Sequence, residues 1–165
     1  MTKKLSKEQI KEIAEMLNTG YHTCFINPDT SEMEIVFNDR LMDSLGISWD
    51  EEDDEDEENN EIMQNDADAD IVDDVKAQFA RIDSWQRFIR IEKPASHESF
   101  QIMENFVDEI IPEGNLKEQF WRALSRSHPF RNFNDIVHNC EYREDWFKFK
   151  QAALEEYVKR EIEYF

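Results

Sequence analysis

Residues 130–135, Phe-Arg-Asn-Phe-Asn-Asp, and residues 144–149, Glu-Asp-Trp-Phe-Lys-Phe, decide the fold of this chain. In each stretch two aromatic residues lie three positions apart, namely Phe130 with Phe133 and Trp146 with Phe149. Residues at this spacing share one face of an α-helix. The pattern therefore predicts two neighbouring antiparallel helices with an aromatic seam between them.

The chain from Ser96 onward has the pattern of four helices. Ser96 is predicted to cap the first helix, and the turn residues 112–114 stop it. Asn115 begins the second, Pro129 suits the first turn of the third, and the fourth begins at about Glu141. The residues whose helical spacing predicts an inward position are Phe100, Met103, Phe106, Val107, Ile110, Ile111, Leu116, Phe120, Ala123, Leu124, Phe130, Phe133, Ile136, Val137, Cys140, Trp146, Phe149, Ala153, Tyr157 and Val158.

A further helix is predicted near the start of the chain. Ser6 and Gln9 have the spacing of a capping box, and Gly20 occupies the position of a left-handed C-cap. Between them, apolar residues recur at the spacing of one helical face, at Ile10, Ile13, Ala14 and Leu17.

Three extended runs complete the predicted elements. Residues 21–27 and 32–37 are rich in β-branched and aromatic residues and flank turn residues at 28–30, which predicts a β-hairpin. A third run at 85–92 ends just before Pro94 and is expected to join the same sheet. Arg87 and Arg90 lie on opposite faces of this run, so neither face is wholly apolar. The buried face therefore stays unassigned.

Acidic residues are concentrated in one segment. The chain has 39 Asp and Glu against 19 Lys and Arg, and residues 50–74 hold 15 of these acids and no base. Like charges repel one another, and the segment has little apolar surface to offset the cost of ordering it. Residues 50–70 are therefore predicted to form a disordered loop. Apolar residues then return to helical spacing and predict a short helix, at Ile71, Val72, Val75 and Phe79.

Together these patterns predict a single α+β domain over residues 1–165. In this architecture an N-terminal helix and a small antiparallel sheet pack against a C-terminal bundle of about four helices. A chain of 165 residues is long enough to bury a sizeable core.

The helical half also supports a resemblance. An aromatic residue and a Met-Glu-x-Phe-hydrophobic block at residues 100–107 precede Leu116, Leu124 and the two stretches quoted first. In this combination the chain resembles a small bacterial family of uncharacterised proteins, the one numbered 158 in the UPF series. The resemblance covers residues 84–150, and the hairpin matches more loosely because Thr30-Ser31 stands where such proteins usually have Thr-Gly. It implies a single-domain α+β protein of a family without an established activity.

Charge and cysteine usage predict the partners and the compartment. An acidic chain is repelled by nucleic acid and by anionic membranes, since duplex binding needs a basic stripe, so a basic protein is the expected partner. No apolar run approaches the roughly 20 residues that span a bilayer. Cys24 and Cys140 lack the spacing of a disulfide framework, and the N-terminus lacks an apolar signal core, which predicts a cytoplasmic protein with reduced thiols. The oligomeric state stays open.

A cluster of cations near the junction of the second and third C-terminal helices is the candidate binding site. The free backbone donors at the start of the third helix would add to an anion site there. An exposed aromatic beside an arginine would be a protein-binding hot spot. The alternative is that these arginines form helical ion pairs, Arg122 with Glu118 and Arg131 with Asp135. The predicted binding residues are Trp121, Arg122, Arg126, His128, Arg131 and Phe147.

No metal or cofactor is predicted. The His-x-Cys pair at His138 would lie on a helix, where residues two apart point about 200° from each other, so it is unsuited to a zinc site. The run Asp66-x-Asp68-x-Asp70 resembles the opening of a calcium loop, but Ile71 and Ala77 stand where that loop needs Gly and Glu. Phosphate loops and nucleophile motifs are absent from the sequence, so an enzyme is the less favoured class.

The preferred function is a noncatalytic interaction module in which the acidic segment attracts a basic partner and the arginine and aromatic surface contacts it. The alternative is a small enzyme or a binder of an anionic ligand that uses Arg126, His128 and Arg131. A nucleic-acid mimic is a third possibility, and it would require an ordered acidic segment with phosphate-like spacing.

Overall fold

A computed structural model describes residues 4–38 and 68–164. Their contacts divide the chain into two compact units, residues 1–93 with 155–165 and residues 94–154. The α+β fold class is confirmed, with an N-terminal helix, a three-stranded antiparallel sheet and several C-terminal helices. The elements are α1 (Lys7–Asn18), β1 (His22–Ile26), β2 (Met33–Phe37), α2 (Asp68–Ser84), β3 (Ile89–Ile91), α3 (Ser96–Ile110), α4 (Asn115–Ser125), α5 (Pro129–Val137) and α6 (Arg143–Glu163).

Helix α1 has the predicted caps. The Ser6 hydroxyl oxygen accepts a hydrogen bond from the Gln9 amide at 3.1 Å, and the Gln9 side-chain oxygen accepts one from the Ser6 amide at 3.0 Å. Gly20 has a φ of 76°, and its N–H donates to the Leu17 carbonyl. The capping box therefore begins the helix, and the left-handed glycine ends it, where the sequence predicts.

The first unit contains the sheet, in the order β2-β1-β3 with antiparallel neighbours. The hairpin is confirmed, with Phe25 opposite Glu34. The third strand is only three residues long, shorter than the predicted run 85–92. Its alternation is nevertheless clear, because Ile89 and Ile91 are buried while Arg90 is exposed.

Helix α2 packs on the hairpin. Ile82 of this helix forms a buried cluster with Phe25 and Val36. The Gln78 side chain donates to the Ile35 carbonyl at 3.0 Å, and Arg81 forms an ion pair with Glu34. The helix is longer than predicted and starts at Asp68, so residues 68–70 are helical and the predicted loop ends too late. The rest of that loop, residues 50–67, lies outside the described residues.

The second unit begins with α3, whose ends differ from the prediction. The N-cap residue is Ala95, and Ser96 is the first helical residue without a side-chain capping bond, so the predicted cap is wrong. Ile110 was expected inside and is 37% exposed, while Ile111 is 2% exposed. The helix ends at Ile110, and the extended backbone of Ile111 turns its side chain inward instead.

The core of the second unit is the aromatic seam predicted from the sequence. Phe133 of α5 and Trp146 of α6 are buried with ring centroids 4.7 Å apart, and both rings contact Phe106 of α3. Phe130 and Phe149 are half-buried and pack against this cluster. Edge-to-face contacts of this kind add specific geometry to the area that the rings bury.

Candidate functional site

A groove lies between α4 and α5 in the second unit. It has a volume of about 310 Å³, at the small end of the range for ligand sites. Its floor is apolar, formed by the buried Ala123 and the half-buried Ile136, and its rim is polar. The residues that line it are Gln119, Arg122, Ala123, Arg126, Asn132, Asp135 and Ile136.

The short connection between α4 and α5 positions the walls of this groove. Its last residue, His128, adopts the left-handed conformation with a φ of 57°, and Pro129 begins α5 as predicted. The Asn132 side-chain amide donates to the carbonyl of Ser127 at 2.8 Å and to that of Ala123 at 3.4 Å. These bonds join α5 to the end of α4, so the groove is preformed.

The groove carries charges of both signs. Arg122 and Arg126 lie at the C-terminal end of α4, where cations interact favourably with the helix dipole. Glu118 approaches Arg122 at 3.9 Å, and both side chains are mostly exposed, so this pair contributes little. The carboxylate of Asp135 lies on the opposite wall. In the described ranges Arg131 forms no ion pair with Asp135, so the expected helical pair is not found.

The structure brings together only part of the predicted site. Arg122 and Arg126 line the groove, whereas His128 and Arg131 do not. Trp121 is 36% exposed and lies two residues before Ala123, which places it about 200° around α4 from the groove floor. Of the predicted cluster, therefore, only the two arginines Arg122 and Arg126 line the groove, and the other predicted residues lie outside it.

Phe147 belongs to a different surface on α6. Its ring is 38% exposed. The Arg143 guanidinium lies 5.1 Å from the ring centroid, and the His138 ring meets it edge-on at 5.8 Å. The predicted neighbour Arg131 is thus replaced by Arg143, one helical turn before the aromatic ring. We call the three residues Phe147, Arg143 and His138 the α6 patch.

Sequence reasoning missed the polar residues of the groove. The sequence pattern indicates Asp135 only as a partner for Arg131, and it indicates no role in a site for Gln119 or Asn132. The sequence pattern that could have indicated the α5 residues is the i, i+3 and i+4 spacing of Asn132, Asp135 and Ile136, which places them on one face of that helix. Which face of α4 they oppose depends on how the two helices pack.

Burial perturbs the pKa values of Lys150 and Cys24, which both lie outside the groove. Burial lowers the pKa of Lys150, whose amine lies 6.0 Å from the centroid of the Trp146 ring. Burial, with a smaller effect from Glu12, raises the pKa of Cys24 to about 12. Cys24 and Cys140 are free thiols. In the part of the chain that the structure describes, no group of three or more His, Cys, Asp or Glu could hold a metal ion.

None of the helices within residues 4–38 and 68–164 has the length and the apolar character that crossing a membrane requires.

Comparison with known proteins identifies a family. No curated protein and no solved structure matches the chain. Residues 32–164 match the uncharacterised protein family UPF0158. This match includes β2, β3, the groove and the α6 patch, and it agrees with the resemblance of the helical half. The chain therefore belongs to the uncharacterised protein family UPF0158.

Proposed function

We propose that this protein is a noncatalytic cytoplasmic interaction module for a basic protein partner. The observation that carries the proposal is the segregation of charge, because residues 50–74 hold 15 of the 39 acids and no base. The net charge is −20, so the other residues together carry only −5. The concentrated field would raise the rate at which a basic partner is captured.

The second unit supports the proposal with surfaces suited to specific contact. Trp121 and Phe147 are large exposed aromatics, and Phe147 lies beside the Arg143 cation. Aromatic and arginine side chains are enriched at the residues that contribute most to protein–protein affinity. We assign long-range attraction to the acidic segment and short-range recognition to these surfaces.

A binder of an anionic ligand is the second candidate, favoured by Arg122 and Arg126 in the α4–α5 groove. His128 and Arg131 do not line that groove, and the Asp135 carboxylate would repel a simple anion. The charges of the groove therefore favour this candidate less than the first.

The test is affinity capture from an extract of the native cells with two forms of the protein. In the second form the nine consecutive acids at residues 50–58 are replaced by Asn and Gln, which keeps the length of the segment. At about 50 mM salt the unchanged protein should retain basic proteins that the neutral form loses, because exposed charges are weakly screened under this condition.

A salt series and a control variant make the result specific. At about 1 M salt the two forms should retain the same proteins, since the screening length falls to about 3 Å. A control replaces Glu98, Glu104, Asp108 and Glu109 of α3 by their amides and should leave capture unchanged. Equal capture of the same proteins by the unchanged and the neutral form at low salt would contradict the proposal.

A further inference from the structure

The α4–α5 groove has a charge pattern that a simple anion does not complement. Arg122 and Arg126 are on one wall and Asp135 on the other, so a ligand between them meets two cations and one carboxylate. A phosphate or a dicarboxylate would pair with the arginines and be repelled by Asp135. A ligand with a carboxylate at one end and a cation at the other would satisfy both walls.

We infer that this groove binds a partner segment that carries a carboxylate close to a basic side chain. The inference rests on the proposed function and names the chemistry of the contact. The carboxylate would pair with Arg126 and Arg122, and the basic group with Asp135. The Gln119 amide lines the same groove and adds a donor and an acceptor for the segment's backbone.

The availability of the charged groups supports this assignment. Among the described residues, the ion pair of Arg122 is the distant and exposed one with Glu118, at 3.9 Å. Within residues 4–38 and 68–164, neither Arg126 nor the Asp135 carboxylate forms an ion pair. A ligand therefore does not have to displace a strong internal ion pair, and it gains charge-assisted hydrogen bonds on both walls.

The apolar part of the groove suits a peptide side chain. Ala123 and Ile136 form an apolar floor that accepts the aliphatic part of a Glu or Lys side chain. Asn132 holds the two helices through its bonds to Ser127 and Ala123, so binding needs little reorganisation. A basic partner drawn by the acidic segment would present many cations, and the groove would select the place where one of them adjoins a carboxylate.

The test is a nuclear magnetic resonance titration of the full chain with free glutamate and, separately, with four capped peptides of equal length. They contain Glu-Lys, Glu-Glu, Lys-Lys or Gln-Gln at the same two positions in a Gly-Ser background. The readouts are the side-chain N–H signals of Arg122, Arg126, Gln119 and Asn132. The Glu-Lys peptide should shift these signals and bind about fivefold more tightly than each of the other three.

Charge reversal sharpens the test. Asp135→Lys should reverse the preference, so that the Glu-Glu peptide binds more tightly than the Glu-Lys peptide. Asp145→Lys, an exposed position of α6 that does not line the groove, is the matched control and should keep the original order. If Asp135→Lys does not fold, Asp135→Asn serves instead and should equalise the two peptides.

Three results would overturn the inference. They are tighter binding of the Glu-Glu peptide to the unchanged protein, the absence of shifts in the groove signals, and stronger binding of free glutamate, which would assign the groove to a small molecule. The capture experiment depends on the charges of residues 50–58 and has its own readout, so none of these results decides it. The two proposals can therefore fail independently.

Discussion

At the residue scale, burial controls the chemistry of Cys24. Its side chain is 1% exposed on β1. Taking the thiolate out of water raises the pKa from 9.0 to about 12, and the negative charge of Glu12 adds to the effect. Cys24 therefore stays protonated and unreactive in the folded protein, whereas Cys140 is only half-buried.

This shift predicts a loss of stability at alkaline pH. The unfolded chain releases the thiol proton near pH 9.0 and the folded chain near pH 12. The stabilisation is thus complete below pH 9 and falls between pH 9 and 12, by up to about 1.4 kcal/mol per pH unit. The measurement is urea unfolding of the unchanged protein and of Cys24→Ala from pH 8 to 11.

The difference in free energy of unfolding between the two forms should shrink as the pH rises above 9. Lysine and tyrosine titrate in both forms, so their effects cancel in this difference. A constant difference across the range would show that Cys24 does not contribute. Alkylation at pH 8.5 should modify Cys140 in the native state and spare Cys24.

At the scale of single elements, the starts of two helices show that a capping residue must be at the right position as well as of the right type. Ser6 and Ser96 both precede helical patterns, and the sequence predicts a cap at each. Only Ser6 forms the capping box, whereas Ala95 occupies the cap position of α3. Ser96 is one residue too late to accept a bond from the first free amides, since a cap must lie outside the helix.

This contrast predicts different effects for the same substitution. Ser6→Ala should destabilise the protein by about 1 kcal/mol, because it removes the hydroxyl oxygen that accepts a hydrogen bond from the Gln9 amide. Ser96→Ala should change the free energy of unfolding by less than about 0.5 kcal/mol, as for an exposed site without special contacts. Both are measured by urea unfolding, and Ser6→Asp should recover most of the loss. Equal effects at the two serines would contradict the observed caps.

At the scale of the whole molecule, the contacts divide the chain into two compact units. The sequence predicts a single domain, and that prediction remains to be tested. The second unit, residues 94–154, contains a complete aromatic cluster that includes Phe106, Phe120, Phe133 and Trp146. A unit of this size buries little more than about 60% of its unfolded surface, so its stability alone is marginal.

We expect a fragment of residues 94–154 to fold with its own cooperative transition. Folding is measured by near-ultraviolet circular dichroism and a thermal melt. Phe133→Ala in the fragment should abolish the transition, since truncating a buried Phe costs about 3–5 kcal/mol, which exceeds the stability of such a small core. Glu118→Ala, at an exposed position, is the control and should melt like the unchanged fragment. A fragment without any transition would favour the single domain.

Local patterns made much of the fold predictable. The capping box of Ser6, the glycine after α1, the hairpin turn and the aromatic spacing of α5 and α6 depend on residues within about four positions of one another. Interactions over such short distances have a fixed geometry along a helix or a turn. The lengths of α2 and β3 were predicted less well, because packing against the hairpin decides where they begin and end.

The sequence by itself determined the fold class, the helix faces, the aromatic seam and the concentration of acids in residues 50–74. Tertiary structure alone decided that Asp135 faces Arg122 and Arg126, that Ile111 rather than Ile110 is buried, and that Phe147 contacts His138 across a loop. The reason is physical. A face is set by the period of one helix, whereas a site requires two helices to pack at a particular rotation and angle, and core side chains far along the chain select that arrangement.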